Sequence, residues 1–278
     1  MILKSFSKIN LSLKVTKKLS NGMHDIQSYF CIVNLCDIIK INKNSIQKDK
    51  INLKGKFAKH VDKKKNSVLT TLKLLRKKKQ ITNYYSITLI KNIPVFAGLG
   101  GGTSNAAYLF KYFIKKKKNE KLINLLSNNI GSDTRLFFNN QGFLKKLNKV
   151  ENLKTTFSLN FLLVHPNIKS STKHVYSKIS RYSSTSKYSS RKLSTKKKFV
   201  KFLMNENNDL QSIVEKKHPI IKKLLLEISE IKGCYFSRMT GSGSVCYGVF
   251  ESEKSAKSAL FKIKRKHPKF WSHLAKTI

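Results

Sequence analysis

Eight residues, Gly98-Leu99-Gly100-Gly101-Gly102-Thr103-Ser104-Asn105, constrain this chain more than any others. They join a strand-like stretch over 84–91 to a stripe of Ala106, Leu109, Phe110, Phe113 and Ile114 at helical spacing. Glycines let the backbone turn sharply and approach a ligand without Cβ clashes. Thr103, Ser104 and Asn105 are residue types that start helices. A helix beginning there turns unpaired N–H groups and the positive end of its dipole toward the loop, which makes an anion site with phosphate as its natural guest. The loop has no Gly-Lys-Ser/Thr, which excludes a Walker P-loop. Thr103 takes the last position of G-x-G-x-x-G and no acid follows at the required distance, which excludes the dinucleotide fingerprint. A glycine turn that merely caps a helix is the plainer alternative, and four glycines in five positions weigh against it.

The rest of the chain predicts a mixed α+β fold. Alternation over 2–15 predicts an opening strand or hairpin, and Asn21-Gly22 a turn. Residues 26–42 read as strand, and 43–66 as loosely connected hairpin strands. Val68, Leu69, Leu72 and Leu75 predict a helix closed by the lysines at 77–79. Residues 120–126 read as a short helix and 157–166 as a strand. The Ser/Lys/Tyr-rich stretch 177–199 reads as a mobile loop. Helices follow over 209–215 and 219–231, with Pro219 in a first turn and Gly233 as a cap. Strands over 234–238 and 244–250 and a final helix over 252–263 complete the expectation.

The 278 residues suffice for two domains with their own cores, taken as 1–147 and 148–278. The formal net charge of +43 would ordinarily point to nucleic acid. Lysine carries nearly all of it, however, and Lys, Asn, Ile and Ser are inflated even where no pattern exists, as A+T-rich codons would produce. RNA binding is therefore the weaker reading. Cys31, Cys36, Cys234 and Cys246 form no C-x-x-C pair and read as reduced, buried thiols of a cytoplasmic protein. The longest apolar run, 29–39, is interrupted by Asn34 and Asp37 and is too short to span a bilayer, so no membrane partner is expected. Residues with active-site character begin by Lys8, leaving no room for a removable leader.

Other positions are ambiguous by themselves. Thr240-Gly241-Ser242-Gly243-Ser244 reads as a β-turn between strands, or, beside the first loop, as a second wall of a phosphate or substrate site. Asp133 in Gly131-Ser132-Asp133-Thr134 is a turn or cap aspartate or a functional carboxylate. Lys8 is one lysine among very many, distinguished only by Ser7-Lys8-Ile9-Asn10 inside an alternating strand. His24 is a turn residue or a ring that stacks on a base.

Taken in order, Ser7-Lys8-Ile9-Asn10-Leu11, Asn21-Gly22-Met23-His24, the loop 98–106, Gly131-Ser132-Asp133, Asn208-Asp209-Leu210 and Thr240-Gly241-Ser242-Gly243 resemble the GHMP kinase superfamily. The match is collinear over roughly residues 5–250. Within the superfamily it most resembles the branch that phosphorylates a cytidyl-bearing methylerythritol alcohol in non-mevalonate isoprenoid synthesis. The resemblance implies a two-domain α+β GHMP-kinase-like fold with the active site in the interdomain cleft. It implies ATP and Mg²⁺ as cofactors, a small-molecule substrate, and a monomer or homodimer. Asp133 would be the general base and Lys8 would hold it ionised. Pro94, Gly98, Leu99, Gly100, Gly101, Gly102, Thr103 and Ser104 would bind ATP. Asn10, His24, Tyr176, Asp209, Thr240, Gly241 and Gly243 would face or support the substrate, with Tyr176 stacking on cytosine and His24 reaching it. Homoserine- and mevalonate-type kinases are the alternatives within the superfamily. The chain departs from the family pattern at four places. Phe96 and Ala97 stand where glycine is usual, Met23 where an aromatic is usual, and Arg135 where proline is usual. A Leu-Lys-Lys-Leu-Asn-Lys stretch replaces a glycine- and glutamate-containing segment near 143–150.

Overall fold

A computed structural model describes residues 1–115, 119–185 and 193–278. Their elements run β1 (Ile2–Asn10), β2 (Lys14–Lys18), β3 (His24–Asn44), β4 (Lys50–Lys54), α1 (Ser67–Lys77), β5 (Tyr84–Ile90), α2 (Gly101–Phe113) and α3 (Glu120–Ile130). A 3-10 helix, Ser132–Phe138, leads into β6 (Gln141–Lys146), β7 (Lys149–Asn152), β8 (Asn160–His165), α4 (Thr172–Ser177) and α5 (Lys196–Met204). The chain continues through α6 (Gln211–Lys217), α7 (Pro219–Ser229), β9 (Cys234–Met239), β10 (Cys246–Phe250), α8 (Glu253–Lys266) and β11 (Trp271–Lys276).

These elements form two compact units that interleave along the sequence. The first holds residues 1–8, 35–95 and 100–139. In it the second half of β3 pairs antiparallel with β5, Ile38 facing Ile90 and Asn44 facing Tyr84. β4 lies on the other side of β5 and runs parallel to it, Ile51 facing Ile87. This corrects the hairpin expected over 43–66. A parallel pair needs a crossover, and α1 supplies it. Asn66 caps α1 by accepting from the Leu69 N–H. α1 then buries Val68, Leu72 and Leu75 against Ile39, Ile41, Ile87 and Leu89 of the sheet, together with Ala106, Leu109 and Phe110 of α2 and Ile123 and Leu126 of α3. The 3.6-residue period of these apolar positions turns one stripe of each helix inward.

The second unit holds residues 9–34, 96–99 and 140–278. β2 and β6 pair antiparallel with the first half of β3, and β7 pairs with β6. A separate four-stranded antiparallel sheet has the order β11-β8-β10-β9. β8 is central in it, and Phe161, Leu162, Leu163 and Val164 are fully buried on both faces, which is why its sequence is a continuous apolar run. α7 packs on β9 and β10, and α8 on β8 and β11. Pro219 occupies the first turn of α7 as expected. β6, β7 and β11 were not expected, and α5 begins at Lys196, inside the stretch read as a loop. Residues 186–192 of that stretch lie outside the described residues. Among the described residues no helix is long and apolar enough to cross a membrane.

Candidate functional site

Lys8 ends the part of β1 that belongs to the first unit. Its side chain is almost fully buried, and its Nζ lies 3.0 Å from Oδ2 of Asp133, which keeps about a third of its surface exposed (31%). Asp133 stands in the first turn of the 3-10 helix, just after Gly131. A Cβ on Gly131 would meet the Thr103 methyl at 3.3 Å, so the Gly-Ser-Asp turn sits against the start of α2.

α2 starts two residues earlier than its hydroxyl residues suggested, with Gly100 as N-cap in the left-handed region, φ 68°. Glycine alone adopts that conformation at little cost. Space demands it too: a Cβ there would lie 3.0 Å from the Phe137 ring and 3.2 Å from the Lys8 side chain. Lys8 thus runs directly beneath the turn that opens α2. The amides of Gly101, Gly102 and Thr103 form the first turn, where helical N–H groups have no intrahelical acceptor. At Gly102 only the Ser67 hydroxyl, 3.8 Å away, would meet a Cβ, so this face of the loop is open. The hydroxyls behind it are bonded within the protein. Thr103 donates to the Gly100 carbonyl at 2.8 Å. Ser104, fully buried, donates to the Phe6 carbonyl at 2.5 Å and pairs with the Ser5 hydroxyl at 2.7 Å. Asn105 reaches Asp37 and Ser5.

In the second unit the two glycine loops meet. Gly98 has φ 77°, and a Cβ on it would fall 2.1 Å from the Thr240 carbonyl oxygen. The Thr240 hydroxyl donates to the Gly98 carbonyl at 3.3 Å and accepts from the Asn10 N–H at 3.0 Å. Tyr247 donates to the carbonyls of Asn10 and Leu11, and Arg238 donates to Leu11, Leu203 and Glu206. The Asn10 side chain donates to Ser28 at 2.8 Å. Asn208, which local reading left unassigned, donates to the carbonyls of Met239 and Gly241, each at 2.8 Å, and so supports the second loop from below. Asp209 accepts from the Val15 N–H and from the Ser183 hydroxyl, both at 2.7 Å, and ties β2 to the chain around 183. Gly243 closes the turn by donating to the Thr240 carbonyl at 3.0 Å. Pro94, in the first unit, and Leu99, in the second, flank the glycines; Leu99 is buried.

His24, at the start of β3, and Tyr176, in α4, bring their rings to 5.2 Å at a 35° tilt. Tyr182, which the sequence reading passed over, adds a third ring 6.3 Å from His24. Burial, and then the charge of Lys18, hold the His24 imidazole below its ordinary range, so it is neutral at pH 7. α4 is anchored to the second glycine loop, because Thr172 and Ser242 share a hydrogen bond of 2.8 Å. Phe96 has φ 58°, a conformation that suits glycine. Among the described residues no group of three or more His, Cys, Asp or Glu could hold a metal ion.

The family described as GHMP kinases C terminal matches residues 200–269. A protein of Pelagibacter ubique named 4-diphosphocytidyl-2-C-methyl-D-erythritol kinase is 36% identical over 99% of this chain and 98% of its own length. One of the same name from Wolbachia pipientis is 31% identical over 96% and 95%. A crystal structure titled 4-(cytidine 5'-diphospho)-2C-methyl-D-erythritol kinase superposes with a TM-score of 0.77 over the whole of both chains, at 19% identity.

Proposed function

Because the chain belongs to the 4-diphosphocytidyl-2-C-methyl-D-erythritol kinase family, we propose that it transfers the terminal phosphoryl group of ATP to the 2-hydroxyl of that cytidyl alcohol, in the cytoplasm. One observation carries the reading: the partly exposed Asp133 carboxylate and the buried Lys8 ammonium meet beside the glycine turn that opens α2. Phosphoryl transfer asks a protein for positioning and charge stabilisation more than for covalent chemistry. Asp133 accepts the proton of the substrate hydroxyl as that oxygen attacks. Lys8 orients the carboxylate and adds positive charge where charge develops on the transferred group. The amides of 101–103 and the open face at Gly102 receive the phosphates. Pro94, Gly98 and Leu99 belong to the same proposed ATP-binding set, and Thr103 and Ser104 brace the turn. Mg²⁺ would arrive with the triphosphate and would supply charge neutralisation there.

Asn10, Thr240, Gly241 and Gly243 form the substrate side, with Asp209 as a support. His24, Tyr176 and Tyr182 offer an aromatic column for the cytosine. Two rings need centroids roughly 7 Å apart to sandwich a base, so with His24 and Tyr176 at 5.2 Å the base stacks on an outer face of the column. Homoserine and mevalonate have no base to hold. The functional division into an ATP-binding 1–147, which also lends Asn10 and His24 to the substrate, and a substrate-side 148–278 belongs to the same proposal. The test is ADP release from ATP and Mg²⁺ with the cytidyl alcohol, homoserine or mevalonate as acceptor. Turnover is expected with the first alone. Turnover with another acceptor, or with none, overturns the assignment.

A further inference from the structure

Asp37, like Asn34, interrupts an apolar stretch of β3, and its side chain is wholly buried. Oδ1 accepts from the backbone N–H groups of Asn92 at 2.8 Å and Ile93 at 2.9 Å. Oδ2 accepts from Lys91 Nζ and, at 3.0 Å, from Asn105 Nδ2. Lys91 is itself buried, and a Cβ on Gly101 would come within 3.1 Å of its Nζ. The ammonium therefore lies flush against the first residue of α2. One carboxylate so holds both flanks of the glycine loop, the backbone entering it at 92–93 and the helix leaving it at Asn105. A buried aspartate and lysine are expensive to desolvate, and replacing such a pair by apolar residues is often neutral or stabilising. Nothing in the packing of β3 requires a charge at 37.

We infer that Asp37, Lys91 and Asn105 form a buried clamp that fixes the phosphate-binding turn, and that they are positioning residues for the nucleotide's phosphates. The inference rests on the ATP assignment above but not on which alcohol is the acceptor. An anion site made of backbone amides binds only if those amides are aimed in advance, because the enthalpy of each hydrogen bond depends on its angle. The clamp provides that aim on both sides of the turn, and the Lys91 ammonium adds positive charge beneath it.

The test compares Asp37→Asn/Lys91→Met, which removes both charges at similar volume, with the unaltered chain. Folding is verified by circular dichroism, and the dissociation constants of Mg²⁺–ATP and of adenosine are measured by calorimetry. Affinity for ATP is expected to fall tenfold or more while that for adenosine stays within twofold, since only the phosphates lean on the turn. If the double variant does not fold, Asn105→Ala, which leaves the ion pair in place and removes the bonds from Asn105 to Asp37, Lys91 and Ser5, is read the same way, with a three- to tenfold loss expected. Equal weakening of ATP and adenosine would mean a general structural role and would overturn the inference, as would no change in either. An unaltered chain that binds ATP but releases no ADP with any acceptor would defeat the functional assignment and leave the clamp standing.

Discussion

Two lysine–carboxylate pairs lie in the same compact unit, Lys8 with Asp133 and Lys91 with Asp37, and they differ in what surrounds the acid. Asp133 presents about a third of its surface to solvent, whereas Asp37 presents none. Asp37 has two backbone N–H groups, an amide and an ammonium on its two oxygens. A carboxylate so occupied has no lone pair left for a substrate proton. The same two residue types therefore serve opposite ends. The open pair can do chemistry, and the closed pair can only hold shape.

The largest expected effect tests the open pair. Asp133→Asn should lower turnover by about 10²–10⁴-fold, the usual worth of a positioned base. Its melting temperature should fall less than that of Asp37→Ala, because the asparagine amide oxygen can still accept from the buried Lys8 ammonium. ADP release and a thermal melt measure the two; a melt that collapses would erase the distinction between the pairs. Next in size, Asp37→Ala should cost about 3–5 kcal/mol in urea unfolding, because it strands the Lys91 ammonium in the interior. A cost near that of Asp133→Asn would break the comparison from the other side.

The smallest effect sharpens it with a third carboxylate. Glu227 in α7 meets Lys266 Nζ at 3.0 Å and His267 Nε2 at 2.5 Å. Burial alone would raise its pKa, but His267 and Lys266 outweigh burial and hold it below the ordinary range. Because the folded value is the lower one, its contribution is complete above about pH 4.3 and is lost as pH falls through the folded value. Urea midpoints measured from pH 6 down to pH 3 should fall, and Glu227→Gln should remove at most about 1 kcal/mol of that fall. An unchanged slope in the variant would show that Glu227 carries none of it.

The elements with strong periodicity were legible from residues alone. The stripes of α1, α2 and α7 and the apolar run of β8 gave their own positions. β6 and β7 were hidden because lysines and asparagines over 145–152 mask the alternation of Phe143 and Val150, and β11 because its residues carry no clear period. The parallel pairing of β4 was invisible, since which strand a neighbour joins depends on the crossover and not on local pattern. Gly100 was recognisable as loop and not as helix cap, because Thr103, Ser104 and Asn105 have the commoner capping chemistry; Thr103 instead bonds back to the Gly100 carbonyl, and Ser104 and Asn105 are drawn inward by β1 and Asp37. Lys8 and Asp133 had little local distinction, a short motif in an alternating strand for one and a Gly-Ser turn for the other, and their order among the other motifs picked them out. The roles of Asp37, Asn208 and Tyr182 stayed unread for one physical reason: each acts on a partner brought close by the fold, Asn92, Met239 and His24, which lie 55, 31 and 158 positions away in the chain respectively.

The contact between Gly98 and Thr240 bears on how such a sequence can evolve. Solvent-facing positions tolerate exchange, because a new side chain there simply extends into water. At residue 98 even a methyl group would collide with a backbone oxygen that Gly243 also uses to close its turn. No rotamer relieves a clash at Cβ, so acceptable change there would require simultaneous rebuilding of both loops. The position is thus a fixed point around which an otherwise permissive surface can be exchanged residue by residue.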